Sequence, residues 1–335
     1  MERTPETDLC PCRSGRRYED CCLAKDYERS QLNKARISNE ELQRILREKH
    51  FDSLERLQEF VRHHTEQQNR KPQSDFFGLS PDQVHRMIYF PFTRTSDIVH
   101  FASDLPAESF VAVPIVRDIM KFLSAFFREG TQKATEKGNL PRKFAEKLFE
   151  EIDTSPWKGI IKFRSEVDSW AVYSLRHILA LGRWIKKERG DFRLTRNGKD
   201  AVVNGFSNQH FLKLFQTYTL KFNWPWQDRY PDFWIIQSGF LFSLFILHKK
   251  ARAWVKEYSL IPYFIRAFPS ILREAEGELK EYYRTILHCY SLRFMNRFCA
   301  YFGLIETQEK SVGPFRYELI LRTSGLFHQF LSWMI

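Results

Sequence analysis

Four cysteines lie within thirteen residues near the start of the chain, and this cluster constrains the local fold more than any other feature. The cluster consists of Cys10, Cys12, Cys21 and Cys22. Two thiolate pairs on either side of a turn can close a tetrahedron around one Zn²⁺. Four thiolates also fill the coordination shell and leave no position for water, so such a site would be structural and not hydrolytic.

Disulfide bonds and a redox site are the alternatives to zinc. A bond between the adjacent Cys21 and Cys22 would be strained, whereas a crossed pair such as Cys10–Cys21 is geometrically feasible. Residues 1–6 contain no apolar run, which predicts a cytoplasmic protein without a secretory signal. Because the cytosol keeps thiols reduced, metal binding is favoured over disulfides.

The spacing of the cluster resembles the SEC-C motif, in which Cys-x-Cys is followed by eight residues and then by Cys and a further Cys or His. Eight residues separate Cys12 from Cys21, and Ser14 and Gly15 match the Ser-Gly turn of the motif. Arg13 stands where glycine is common, which is a departure from the pattern.

This resemblance covers residues 8–25 and implies a small zinc knuckle, with the four cysteines as ligands of one structural Zn²⁺. It is similar to the knuckle at the C-terminal end of the preprotein translocase motor ATPase. In that family the knuckle contacts proteins or ribosomes. Arg16 and Arg17 lie beside the ligands and are candidates for such a contact surface, with simple solvation as the alternative.

The positive charge of the chain is unevenly distributed. The formal net charge is +11, yet residues 1–70 carry 14 Lys or Arg and 14 Asp or Glu. Residues 121–200 carry 18 basic and 11 acidic side chains, so the excess lies later in the chain. A basic bias favours polyanionic partners, nucleic acid first. An aromatic content of 16% argues for packed globular structure and against disorder.

From about residue 114 a pattern recurs three times: a helix ends near a glycine, an extended segment follows, and a Thr and a Gly open the next helix. The first helices of copies one and two are predicted at 115–128 and 169–187, and copy one closes with a helix at 142–152. Copy three has a strand predicted at 315–321 before Thr323-Ser324-Gly325. A hairpin alone is marginally stable, so each copy needs a helix packed behind it.

These copies resemble winged-helix units, in which a recognition helix is followed by a wing and a Leu-Thr-x-x-Gly turn. The chain as a whole is similar to uncharacterised bacterial SEC-C proteins with tandem winged-helix-like repeats, a resemblance that brings no established activity. We therefore predict a mainly α-helical protein: a knuckle (1–25), a helical region (26–110), winged-helix-like repeats (111–210), and a helical region ending in a third such unit (211–335).

Seven cations of copy two are candidates for contact with DNA or RNA phosphates, since Lys and Arg contacts of this kind release counterions. They are Arg176, Arg183, Lys186, Lys187, Arg189, Arg193 and Arg196. The alternative is that cations near the C-terminal end of a helix simply offset its macrodipole.

Other features favour structural explanations. The apolar run 233–247 is shorter than the roughly twenty residues of a membrane span, so it predicts a buried helix and no stable membrane insertion. Trp224 and Trp226 could stack on bases, but the core is the favoured location. The sequence lacks a phosphate-binding Gly-rich loop, a nucleophile elbow and a zinc-protease motif, and Cys289 and Cys299 are expected in the core.

These observations predict a zinc-binding, non-catalytic regulatory protein that binds nucleic acid through its basic repeats. An interaction adaptor is the alternative, in which the knuckle docks a partner such as the ribosome or a component of a defence or plasmid system.

Overall fold

The computed structural model describes residues 40–41, 43–155, 158–160, 162–226, 228–272, 279–313 and 316–335. The described chain is mostly helical with small antiparallel sheets, so the predicted mainly α class is confirmed at this level. None of its described helices combines the length and the apolar character that crossing a bilayer requires.

The helices have the following bounds: α1 (Leu54–Asn69), α2 (Pro81–Tyr89), α3 (Pro114–Glu129), α4 (Arg142–Ile152), α5 (Trp170–Leu181), α6 (Arg196–Val203), α7 (Asn208–Leu220), α8 (Trp234–Ser238), α9 (Phe240–Lys250), α10 (Ile261–Ala267), α11 (Leu279–Tyr290) and α12 (Gly325–Phe330). The helix α11 continues as a π-helical segment, Ser291–Ala300. Residues 43–48 are also helical.

The strands have the following bounds: β1 (Val99–Phe101), β2 (Gln132–Lys133), β3 (Ile185–Glu188), β4 (Asp191–Leu194), β5 (Val255–Lys256), β6 (Ile305–Gly313), β7 (Arg316–Thr323) and β8 (Leu331–Trp333). They form one two-stranded sheet, β1–β8, and two three-stranded sheets ordered β2–β4–β3 and β5–β7–β6.

The chain divides into two compact units whose sequences alternate. Unit 1 comprises residues 1–98, 233–292 and 309–321, and unit 2 comprises residues 99–232, 293–308 and 322–335. The predicted domain boundaries at residues 25, 110 and 210 stay a prediction.

Unit 1 is built around the apolar helix α9. Its residues 240–247 are all buried, as predicted. The run 233–247 is not one helix, however: Gly239 separates α9 from α8, and Trp234 near the start of the run is exposed. The Phe242 ring makes edge contacts with the rings of Phe76 and Phe268, with centroids 6.1 and 5.2 Å apart. Such pairs add to the free energy gained from burial of the rings alone.

The start of α2 follows the local signal in the sequence. The Ser80 hydroxyl accepts a hydrogen bond from the Gln83 amide, and the Gln83 side chain accepts one from the Ser80 amide. Pro81 occupies the first helical position, where its missing N–H costs nothing. The predicted cap is therefore confirmed.

Unit 2 contains a run of elements in the order α3, β2, α4, α5, β3, β4, α6. The short strand β2, from predicted copy one, pairs antiparallel with β4, from predicted copy two. The two copies therefore share one sheet. The helix α4 has the predicted bounds, and α3 buries Ile115, Ile119, Phe122 and Phe126 along one side.

The helix α5 is shorter than predicted. It ends at Leu181, with Gly182 as its cap, and Arg183 takes a left-handed conformation at φ 60°. Lys186 and Lys187 consequently lie on β3 and not on the helix. The predicted end at residue 187 was wrong. The charged residues that follow Arg183 are compatible with a helix, but the turn at Arg183 ends the helix before them.

Near the C-terminus, β7 extends from Arg316 to Thr323, close to the strand predicted for copy three. Ser324 then caps α12, because its hydroxyl accepts a hydrogen bond from the Phe327 amide at 3.1 Å. The same hydroxyl donates to the Gly303 carbonyl oxygen at 2.6 Å, which ties the start of α12 to the segment before β6.

Candidate functional site

An open groove in unit 2 brings four cations together. We call it the basic groove; its lining residues are Lys186, Arg193, Leu194, Thr195, Arg196 and Lys199. The hairpin β3–β4 contributes Lys186 and Arg193, which are directly opposite each other in the strand register. The start of α6 contributes Arg196 and Lys199, and all four cations are exposed.

Thr195 holds the hairpin and α6 together at the groove. Its hydroxyl donates to the Arg183 carbonyl oxygen at 2.7 Å and accepts from the Gly198 amide at 3.2 Å. Its own amide donates to the Trp184 carbonyl oxygen at 2.9 Å. A Cβ added at Gly198 would lie 2.2 Å from that carbonyl oxygen, so the close approach requires glycine.

The four cations of the groove differ in their partners. Glu188 forms an ion pair with Lys186 at 3.0 Å and a second with Arg193. Within the described residues, Arg196 and Lys199 form no ion pair. Both lie in the first turn of α6, where the macrodipole is unfavourable to positive charge. The two charges therefore do not stabilise this helix.

The structure places the remaining predicted cations in three kinds of surroundings. Arg189 is at the tip of the hairpin with φ 52° and is followed by Gly190 at φ 86°, an arrangement that suits a two-residue turn. Lys187 is exposed on β3, with its ammonium 5.6 Å from the Phe192 ring centroid. Arg183 is exposed directly after α5.

Arg176 lies in the interior of unit 2 and is not available to a partner. Its guanidinium pairs with the Glu166 carboxylate at 2.7 Å, and the two side chains are 9% and 0% exposed. Burial raises the pKa of Glu166, although Arg176 opposes that shift. Burial, together with the Arg176 charge, lowers the pKa of the neighbouring His177 to about 4, so the imidazole is neutral at pH 7.

The surroundings of α5 leave little of the helix for contact with a ligand. Its buried residues include Val172, Leu175, Ile178 and Leu179, and its last turn contains no basic residue. Of the seven cations, Arg183 lies just past the C-terminal end of this helix, where it can offset the macrodipole as the alternative states; the other six lie inside the helix, on the β3–β4 hairpin or at the start of α6.

The two tryptophans of the 224–226 loop have different environments. Trp224 is buried, and its indole N–H donates to the Tyr218 carbonyl oxygen at 2.9 Å. Trp226 is half-buried and lies against Tyr173 and His177, with ring centroids 4.5 Å away in both cases. The core location favoured for this loop is confirmed for Trp224.

Three cations in or near the basic groove were not among the predicted candidates. Lys199 lies in the first turn of α6, and Lys213 and Lys221 are eight residues apart on or beside α7. A spacing of eight residues places two side chains on one side of a helix, which is the signal that could have found the pair.

Cys289 and Cys299 are buried, as expected. Burial raises the pKa of the Cys299 thiol, which opposes formation of a nucleophilic thiolate. Among the described residues, no group of three or more His, Cys, Asp or Glu side chains is arranged to hold a metal ion.

The four clustered cysteines lie outside the described residues, as do Arg16 and Arg17. Their family assignment rests on the sequence.

Residues 7–24 match the SEC-C motif.

The match coincides with the predicted SEC-C motif, residues 8–25, to within one residue at each end. It covers a small part of the chain and does not extend to the basic groove. Searches of curated proteins and of solved structures find no match to this chain.

Proposed function

We propose that this protein is a non-catalytic nucleic-acid-binding protein with a structural zinc ion in its SEC-C motif. The observation that carries the proposal is the basic groove, in which Arg196 and Lys199 form no ion pair within the described residues. Cations without counter-charges at the start of a helix are electrostatically unfavourable in the free protein. A bound phosphate group would neutralise them and would also interact favourably with the helix N-terminus.

The order of elements supports a winged-helix-like unit at residues 114–203. Such a unit contains three helices and three strands, in the order helix, strand, helix, helix, strand, strand. The series α3, β2, α4, α5, β3, β4 has this order, and its antiparallel sheet runs β2–β4–β3. The β3–β4 hairpin is then the wing. Because such units also serve as protein-contact modules, the argument for nucleic acid rests on the charges.

The proposed mode of binding is contact with the phosphate backbone. A winged helix that reads bases would present its third helix to the major groove, but α5 is largely buried and its one arginine, Arg176, pairs with Glu166. Phosphate contacts fix position and carry no sequence information. We therefore expect affinity that depends on salt and little on sequence, for DNA or RNA.

The test is binding of labelled random-sequence DNA and RNA, in single- and double-stranded form, from about 50 to 200 mM salt. Affinity should fall as salt rises. The variant Arg196→Gln/Lys199→Gln should reduce the slope of log K against log salt by about 1.8 for a duplex, or about 0.9 for each lost phosphate contact.

The matched control is Arg128→Gln/Lys147→Gln. It also removes two positive charges from the protein, but these two side chains pair with Glu151 and Glu129. This control should bind like the wild type. If the wild type shows no salt-dependent binding, or if both variants lose affinity equally, the proposed function is wrong.

The donor set of the SEC-C motif fits one Zn²⁺, since Cys10, Cys12, Cys21 and Cys22 supply four thiolates. A closed four-thiolate site would organise the local fold and leave the metal without an open position for a substrate. Elemental analysis of protein prepared reduced and without chelator should find about one zinc per chain, and a Cys21→Ser/Cys22→Ser variant should lose it. Retention of zinc by that variant would contradict this ligand set.

A second role is favoured by the match at residues 7–24. We propose that the knuckle docks a protein or ribosomal partner, with Arg16 and Arg17 on the contact surface. Deletion of residues 1–25 should then reduce recovery of the partner from lysate while salt-dependent binding to nucleic acid remains. Unchanged recovery would exclude docking by the knuckle.

A further inference from the structure

A second group of cations lies beside the basic groove in unit 2. We call it the Lys213 cluster; it consists of Arg183, Lys213 and Lys221. Arg183 and Lys221 are exposed, and Lys213 is half-buried. The two lysines are separated by about 12 Å along the axis of α7, given a rise of about 1.5 Å per residue.

Lys213 feels the charges of both other members of the cluster. Burial lowers the pKa of Lys213, and the charges of Lys221 and Arg183 lower it further. The Lys213 ammonium lies 5.1 Å from the centroid of the buried Trp184 ring, a cation–π contact that holds it in place. Within the described residues, none of the three cations forms an ion pair.

The Lys213 cluster adjoins the groove through Thr195. This residue lines the groove, and its hydroxyl donates to the Arg183 carbonyl oxygen. The Arg183 backbone therefore forms the border between the two groups of cations. Like charges that lack ion-pair partners repel one another in the free protein, and a polyanion that spans both groups would relieve this repulsion.

We propose that the Lys213 cluster is a second phosphate-binding site, which holds the same nucleic-acid backbone that occupies the basic groove. The inference rests on the proposed function and extends it. It implies a ligand long enough to pass from α6, across the turn at Arg183, to α7. A mononucleotide or free phosphate would reach only one of the two sites.

Lysine footprinting on the full chain tests the inference without any substitution. The protein is treated with an amine-acylating reagent, free and in complex with a DNA or RNA of about 30 nucleotides, and the modified lysines are read by mass spectrometry. Lys186 and Lys199 should be protected in the complex, and so should Lys213 and Lys221. Lys147, which pairs with Glu129, should not be.

The footprint separates the two claims. Protection of Lys186 and Lys199 without protection of Lys213 and Lys221 would leave the proposed function standing and overturn the second site. Absence of protection at all four, together with absence of salt-dependent binding, would overturn both. Equal protection by inorganic phosphate would show that the cluster holds a free anion, which contradicts a shared backbone.

A double variant provides the second measurement. Arg183→Asn removes the charge and suits the left-handed conformation at φ 60°, and Lys213→Gln removes the charge with a slightly shorter polar side chain. The salt slope should fall by about 1.8 for duplex DNA and by about 1.4 for a single strand. Arg128→Gln/Lys147→Gln is again the matched control. Wild-type slopes on long ligands would overturn the inference.

A length series sharpens the result. For oligonucleotides too short to span both sites, the double variant and the wild type should bind alike through the groove. Their affinities should diverge as the ligand lengthens. A variant that binds long and short ligands as the wild type does contradicts the second site.

Discussion

Two regions of unit 2 carry similar numbers of cations but differ in how those cations are paired. On α3 and α4 three of the six cations form ion pairs: Arg117 with Asp118 at 3.4 Å, Arg128 with Glu151 at 3.8 Å and Lys147 with Glu129 at 3.1 Å. Within the described residues the other three form none; they are Lys121, Arg142 and Lys143. At the basic groove and the Lys213 cluster, most cations form no ion pair within the described residues. We therefore expect a binding surface to depend on how cations are grouped and paired, and not on their number alone.

The largest effect is expected where a cation is buried. Arg176→Met would leave the Glu166 carboxylate buried without its counter-charge, which should lower the free energy of unfolding by about 3–5 kcal/mol. Urea denaturation measures this loss. The double variant Arg176→Met/Glu166→Gln should recover much of it, and a single variant as stable as the wild type would contradict the buried pair.

The loss of stability in the Arg176→Met variant should depend on pH. Burial raises the pKa of Glu166 in the folded protein, so protonation of this group favours folding, and its contribution to stability is lost as pH rises through the folded pKa. Without Arg176 the pKa should rise further. The loss of stability in Arg176→Met should therefore be larger at pH 8 than at pH 5.

The next effect tests the framework of the groove. Gly198→Ala would place a Cβ against the Trp184 carbonyl oxygen and push α6 away from the hairpin, which should cost about 1–3 kcal/mol. Binding of nucleic acid should weaken as well, because Arg196 and Lys199 would move relative to Arg193. Gly159→Ala is the control, since a Cβ there meets nothing within 4 Å. Equal stability of the two variants would contradict the close packing.

A smaller effect should appear when paired cations are released. Glu188→Gln frees Lys186 and Arg193 in the groove, so we expect tighter binding at low salt and a steeper salt slope, by up to about 1.8 for a duplex. Fluorescence anisotropy at several salt concentrations measures both. The matched variant Glu129→Gln/Glu151→Gln frees Lys147 and Arg128. If it binds as tightly as Glu188→Gln, pairing alone does not distinguish the two regions.

The smallest effect concerns the paired cations themselves. Lys147→Gln removes an exposed ion pair with Glu129, and such pairs contribute about 0–1 kcal/mol. Its free energy of unfolding and its affinity for nucleic acid should stay close to those of the wild type. A clear loss of affinity would show that the binding surface includes α4, which would contradict the expected difference between the two regions.

Local signals in the sequence predicted several elements well. The cap at Ser80 and the bounds of α4 follow from residues within one or two turns of the helix. The end of α5 was not predicted, because Arg183 adopts a left-handed conformation that glycine or asparagine normally favours. An arginine at this position gives no sequence signal for such a turn. The shared sheet was also missed, since Gln132 and Phe192 are paired across sixty residues of chain.

The candidate site was predicted in part for the same reason. Arg183, Lys186 and Arg193 are exposed as a surface site requires, but Arg176 is paired with a glutamate ten residues earlier that enters the core. Lys213 escaped notice because its importance comes from Arg183 and Trp184, which are distant in sequence. Proximity of this kind depends on long-range packing and leaves no local pattern.

The sequence by itself determined the SEC-C match of the cysteine cluster and the mainly helical character of the chain. Both follow from residue type and short-range spacing: thiolate donors at SEC-C intervals, and apolar residues at helical periods. Only the tertiary structure decided which cations are buried, which form ion pairs and which are grouped without an ion-pair partner. That outcome depends on which helices and strands meet, and electrostatic energies change steeply over a few ångströms.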